Sequence, residues 1–235
     1  GWYTLSLHDA LPILLALAGG RLVEISPEDG GVREVVGDLL SPSAFAVDAE
    51  ENLYVYDAAP ERGVVRVYEA GGKYVRDIGT PGGWSAGAWD PTRLHSVVDM
   101  AVDRRGQLWL VESATDPKRV TVWSRDGKLV RELLGNTGYG GGGILDRYDK
   151  TRLRYGRMEF ALDWESGGSR LAALNFTGVP ATGGHGIADL FPVRRDGHRY
   201  LASGVSHPSM AGGVGFVFLE EGEMALLVAA LGGGD

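Results

Sequence analysis

The stretch Ala101-Val102-Asp103-Arg104-Arg105-Gly106-Gln107-Leu108-Trp109-Leu110-Val111-Glu112 decides the fold, because the chain says the same thing twice. Ala46-Val47-Asp48 and Leu53-Tyr54-Val55-Tyr56-Asp57 stand 55 residues earlier in the same register. The same offset carries Val67-Tyr68 to Val122-Trp123, and Gly72-Lys73-Tyr74-Val75-Arg76 to Gly127-Lys128-Leu129-Val130-Arg131. An offset held over so many positions marks an internal repeat, and a repeat fixes architecture before any single element does.

Each copy reads as four short strands. In the second they cover roughly residues 98–103, 107–112, 119–124 and 128–134, with turns at Arg105-Gly106 and Asp126-Gly127. Asp-Gly between two apolar runs is a hairpin signal, and Val, Leu, Tyr and Trp suit a pleated, half-buried surface. Four antiparallel strands repeated along a chain point to propeller blades.

The rest of the chain fits the same unit. Val193-Arg194-Arg195-Asp196-Gly197 echoes the turn at 102–106, and its last strands fall near 214–219 and 223–230. Near the start, residues 14–18, 22–26 and 32–36 supply three strands, while 158–176 forms a hairpin that belongs to no evident blade. The expectation is an all-β, incomplete β-propeller of four-stranded antiparallel blades. Four blades would cover residues 14–37, 44–79, 98–135 and 189–231, with the hairpin besides.

Residues 1–13, GWYTLSLHDALPI, contain a segment that resembles the translation of a sequencing-library adaptor. On that reading they are not native, the first blade lacks its first strand, and the chain is truncated at both ends.

The pattern that Ala101-Val102-Asp103, Leu108-Trp109-Leu110-Val111 and Asp126-Gly127-Lys128-Leu129-Val130-Arg131 share with the first copy resembles NHL repeats of six-bladed propellers. It covers roughly residues 14–135 and 189–231, and the long connections resemble those of bacterial propellers. The resemblance implies a platform that binds proteins, RNA or other ligands, with an enzymatic minority; for this chain a small-molecule or protein ligand and an extracytoplasmic setting are expected. Fold alone does not carry function.

Composition removes some classes. Glycine, 37 of 235 residues, suits a fold dense in tight turns. A net charge of −8 without any Lys/Arg run argues against nucleic-acid partners and anionic membrane surfaces. No cysteine is present, so disulfides and thiolate metal sites are excluded, and no stretch reads as a membrane-inserting helix.

The candidate site lies on the long connections at 80–97 and 136–157. Both contain an echo, Asp90-Pro91-Thr92-Arg93-Leu94 and Asp149-Lys150-Thr151-Arg152-Leu153, preceded by glycine-rich aromatic stretches. Long loops on a rigid scaffold carry binding residues. The functional reading is a ligand-binding rim of Trp84, Trp89, Asp90, Arg93, Tyr139, Asp149, Arg152 and His185. The structural alternative is that Asp and Thr cap a turn while Arg pairs with a carboxylate.

Other patterns are weaker. Gly83-Trp84-Ser85-Ala86-Gly87 spells G-x-S-x-G, but Asp90-Pro91 leaves no room for the helix a nucleophile elbow requires. Gly138, Gly140 and Gly143 satisfy G-x-G-x-x-G without a following helical pattern. Asp48, Asp103 and Asp163 end strands and are expected to accept backbone N–H groups in the next turn. The charges from Glu112 to Arg119 are expected to form a solvated loop. No catalytic set or cofactor is expected. The alternative reading is a divalent-metal hydrolase or lactonase of the gluconolactonase-like propeller kind, in which such carboxylates would hold calcium.

Overall fold

A computed structural model describes residues 14–85, 87–114, 117–135, 143–155, 158–174 and 197, together with the backbone of strands at 5–7, 191–195, 198–205, 215–220 and 223–229. All regular structure among them is β.

The first sheet is a meander of β1 (Leu5–Leu7), β2 (Leu14–Ala18), β3 (Arg21–Ile25) and β4 (Val32–Val36). The second runs β5 (Pro42–Val47), β6 (Leu53–Asp57), β7 (Val64–Tyr68) and β8 (Tyr74–Ile78). A two-residue strand, β9 (Gly87–Ala88), follows in the first long connection. The third sheet is β10 (Val97–Val102), β11 (Leu108–Glu112), β12 (Lys118–Trp123) and β13 (Leu129–Gly135).

A fourth sheet holds β14 (Ile144–Leu145), β15 (Arg152–Tyr155), β16 (Met158–Asp163) and β17 (Gly168–Leu174), with β9 on its edge. The last comprises β18 (Phe191–Arg195), β19 (His198–Val205), β20 (Gly215–Glu220) and β21 (Glu223–Ala229). Every ladder is antiparallel, and successive four-stranded meanders are the blade arrangement of a β-propeller.

Two expectations differ. The first sheet does not lack its first strand: Leu5–Leu7 pairs antiparallel with β2, Leu5 opposite Ala16. The unassigned hairpin is β16 and β17, the third and fourth strands of a sheet whose first two lie in the second long connection.

The chain forms two compact units, Gly1–Trp84 with Asp90–Thr137, and Ser85–Trp89 with Gly138–Asp235. In the first unit the period-two alternation of β6 explains the packing. Tyr54 and Tyr56 point into one cluster with Leu108, Leu110 and Trp123 of the third sheet. Leu53 and Val55 point into another with Leu15, Leu17 and Leu22 of the first. All five β6 residues are buried, so the second sheet is covered on both faces. A buried Leu or Val of these clusters contributes about 1.5–3 kcal/mol by leaving water. Trp123, fully buried, satisfies its indole N–H on Thr121 Oγ1 at 2.9 Å.

The turns carry their own chemistry. Asp48 Oδ1 accepts the N–H groups of Glu50 and Asn52, each at 2.9 Å, and Oδ2 takes the Asn52 amide and the Tyr54 hydroxyl. Asp103 repeats this with Arg105, Gln107 and the Trp109 indole, and Asp163 with Glu165 and Ser166. These carboxylates therefore act as turn acceptors, as their position after a strand suggests. Gly72 closes the β7–β8 hairpin with φ +82, and a Cβ there would overlap the Val35 carbonyl of the first sheet.

Candidate functional site

The register of the third sheet sets Val97 opposite Glu112, Glu112 opposite Arg119, and Arg119 opposite Leu134. Glu112 and Arg119 therefore lie at the sheet end where the chain enters from the second sheet. Antiparallel pairing brings the end of β11, the start of β12 and the incoming connection to that same end.

Within the connection, Asp90-Pro91-Thr92-Arg93 forms a closed turn. Asp90 Oδ1 accepts the backbone N–H of Thr92 at 2.9 Å and its hydroxyl at 2.5 Å. Arg93 pairs with Asp90 Oδ2 at 3.5 Å and donates to the carbonyls of Pro81 and Gly83. The bonds from Thr92 hold the Asp90 carboxyl below its ordinary range. Thr80 and Thr92 join the two limbs through backbone and hydroxyl bonds. The Trp84 indole N–H donates to the Arg93 carbonyl at 3.1 Å, and its ring stacks on His95 at a centroid distance of 5.1 Å.

Beneath the turn lies a buried ionic cluster. Arg119 donates Nε to Glu112 at 2.8 Å and Nη1 to Glu132 at 2.8 Å, and the Arg119 and Glu112 side chains are fully enclosed. The same guanidinium donates to the carbonyls of Pro91 and Arg93 and lies 5.5 Å from the Trp84 ring centroid. Glu112 Oε2 accepts the His95 backbone N–H at 2.9 Å. Burial raises the Glu112 carboxyl to about 7, against the pull of Arg119 and the His95 N–H.

The expected solvated loop is corrected for Glu112 and Arg119, whereas Lys118 is exposed and Asp116 lies outside the described residues. The two strand-terminal charges face each other across the ladder and are covered by the turn at 90–93. Asp57, the counterpart of Glu112 in the second sheet, is equally enclosed. It accepts the N–H groups of Leu40, Ser41 and Ala59 and a guanidinium nitrogen of Arg62. Burial pushes its carboxyl up, but these donors prevail and hold it below its ordinary range.

The second connection repeats the turn. Asp149 Oδ1 accepts the N–H and hydroxyl of Thr151, and Oδ2 pairs with Arg152 at 3.1 Å. Arg152 also reaches Glu159 at 2.6 Å. Arg154, almost fully buried, bridges Asp146 at 3.1 Å and Glu159 at 2.7 Å. Asp146 in turn accepts the N–H of Tyr148.

The structure therefore joins Trp84, Asp90 and Arg93 in one turn of the first unit, and Asp149 with Arg152 in the second. Trp89 flanks β9, and its N–H donates to the Ala172 carbonyl on the sheet edge. Tyr139 and His185 lie outside the described residues. Sequence reasoning passed over Glu112, Arg119, Asp146, Arg154 and Glu159 as site residues. The available signal was an acid ending one strand and an arginine just before or within the start of the next, at both 57–62 and 112–119.

Gly87–Ala88 is a strand, so the G-x-S-x-G segment makes no helix-borne elbow. Among the described residues no three His, Asp or Glu side chains gather as a metal set would require.

No protein-family model matches the chain, and no curated protein matches it. Solved structures to which it is similar include a nidogen/laminin complex, with TM-score 0.45 and 16% identity over 93% of this chain and 76% of that one. A virginiamycin B lyase from Staphylococcus aureus gives 0.43 and 14% over 98% and 69%. A gluconolactonase from Xanthomonas campestris gives 0.43 and 18% over 94% and 75%. Likeness of this depth transfers no activity.

Proposed function

We propose that the chain is a non-catalytic binding module, of NHL-like propeller kind, that presents its long inter-sheet connections to a small-molecule or protein ligand. The supporting observation is the bracing of those connections. Each is closed by an Asp-x-Thr-Arg turn, and the turn at 90–93 also rests on the buried Arg119. A loop held this way loses little conformational freedom when a ligand arrives, which is how a rigid scaffold gains affinity. The Trp84–His95 stack gives the first connection an aromatic, partly exposed surface beside the Arg93 cation.

The test is a titration of the full chain against small-molecule and protein libraries, followed by tryptophan fluorescence. A ligand whose signal falls at least tenfold in affinity with His95→Ala, at unchanged thermal stability, supports this surface; tenfold corresponds to about 1.4 kcal/mol. Ligands indifferent to His95→Ala and Arg93→Ala would move the binding surface elsewhere. The same preparation distinguishes the hydrolase alternative: one equivalent of calcium or zinc by elemental analysis would favour that reading over a binding module.

A further inference from the structure

We propose that the turns at 146–151 and 164–167 of the fourth sheet form a carbohydrate-binding platform, which takes a neutral pyranose against the Trp164 ring. This rests on the reading of the long connections as binding surfaces and names a ligand class for the second of them.

The topology brings the two turns together. In an antiparallel meander alternate turns fall at one end of the sheet, so the β14–β15 turn and the β16–β17 turn share an end. The first is closed by the Asp146 N–H donated to the Arg152 carbonyl and the Arg152 N–H donated to the Asp149 carbonyl. The Leu162 N–H donates to the Thr151 carbonyl at 2.7 Å, which ties β16 to that turn. In the second turn Asp163 accepts the N–H groups of Glu165 and Ser166 and the Ser166 hydroxyl. Trp164 reaches from it to the first, its indole N–H donated to the Lys150 carbonyl at 2.9 Å.

That bond sets Trp164 apart. Its one polar side-chain atom is satisfied by the neighbouring turn while 63% of the residue stays exposed. A tryptophan pinned yet exposed offers a flat ring whose orientation is already set, so a ligand laid on it has little to order. The turn does not require it. The corresponding turns of the second and third sheets close without an aromatic residue between 69 and 73 or between 124 and 128. Tyr148, 42% exposed, places a second aromatic residue in the turn to which Trp164 is bonded.

The charges at this end select the ligand. Arg147, Lys150 and Arg152 stand against Asp149, Asp163 and Glu165, all at least partly exposed, whereas Asp146 is enclosed and bridged to Arg154. Three charges of each sign favour neither an anion nor a cation, although a lone cation would be drawn to the ring face. A pyranose suits the mixture. Its C–H groups lie against the negative face of an aromatic ring, while its hydroxyls both donate to carboxylates and accept from cationic N–H groups.

Ligand-observed saturation-transfer NMR of the full chain tests this, with the methyl pyranosides of glucose, galactose, mannose and N-acetylglucosamine and their disaccharides as probes. At least one should bind, and Trp164→Ala should weaken it by about tenfold or more at unchanged thermal unfolding. Glu165→Gln keeps hydrogen-bonding atoms and removes a charge; it should change the affinity by less than about threefold, as an uncharged ligand requires. Absence of binding by every probe, or binding that survives Trp164→Ala, overturns the carbohydrate assignment. A different small molecule or a protein weakened by Arg152→Ala would also overturn it, while keeping the second connection as a binding surface. Ligands indifferent to Arg152→Ala, Arg93→Ala and His95→Ala alike would remove both readings.

Discussion

Glu112 and Asp57 show how the same strand-terminal position is used in opposite electrostatic senses. Asp57 is held down, so its contribution to stability is present above its ordinary value of 3.8 and is lost as pH falls through its native value. Glu112 is held up to about 7 from 4.5, so its contribution is complete below 4.5 and is lost as pH rises to about 7. The difference in urea stability between the unaltered chain and Glu112→Gln should therefore change across 4.5–7 and be constant above it. Arg119 is the more sensitive residue. Arg119→Met strands two carboxylates under the connection and should cost about 3–5 kcal/mol in denaturant unfolding. Adding Glu112→Gln to that variant should restore part of the loss, because the enclosed charge is then gone. Equal stability of the single and double variants would show that Glu112 carries no charge once Arg119 is gone.

At the scale of elements, the turns and strands were legible and the ionic pairings were not. The Asp-Gly turn at 126–127 and the carboxylates at 48, 103 and 163 act through neighbours within a few residues, so local sequence contains their partners. The Asp-x-Thr-Arg echo was visible for the same reason. Glu112 and Arg119 are close in sequence, but their burial depends on Glu132 and on carbonyls 26 and 28 residues earlier. Strand β9 has only two residues, too few for any periodicity, and its partner β17 lies beyond the whole third sheet and three strands of its own. Two substitutions test the elements. Asp48→Ala should destabilise more than Asp103→Ala, since Asp48 is buried and leaves the Asn52 amide and Tyr54 hydroxyl unpaired; about 1–3 kcal/mol is expected against about 1. Gly63→Ala meets both a positive φ of +60 and the Gly83 nitrogen at 2.9 Å from its new Cβ. It should lower stability by roughly 1–3 kcal/mol in thermal unfolding.

For the whole molecule, sheets that cover one another in the first unit leave chemistry to the segments joining them. The first connection is tied to the 58–63 loop by the Gly82 N–H donated to the Arg62 carbonyl, and to the third sheet by Arg119. That makes residues 79–84 and 90–96 part of the first unit's framework although their sequence reads as a long loop. Limited trypsin digestion of the full chain, with cleavage sites read by mass spectrometry, examines this at the Arg93–Leu94 bond. Arg93 is bonded to Asp90, Pro81 and Gly83, and Leu94 is fully buried. The bond should survive while Lys73, 77% exposed in a hairpin turn, is cut early. Cleavage after Arg93 as fast as after Lys73 would contradict a pre-formed connection, and with it the binding surface built upon it.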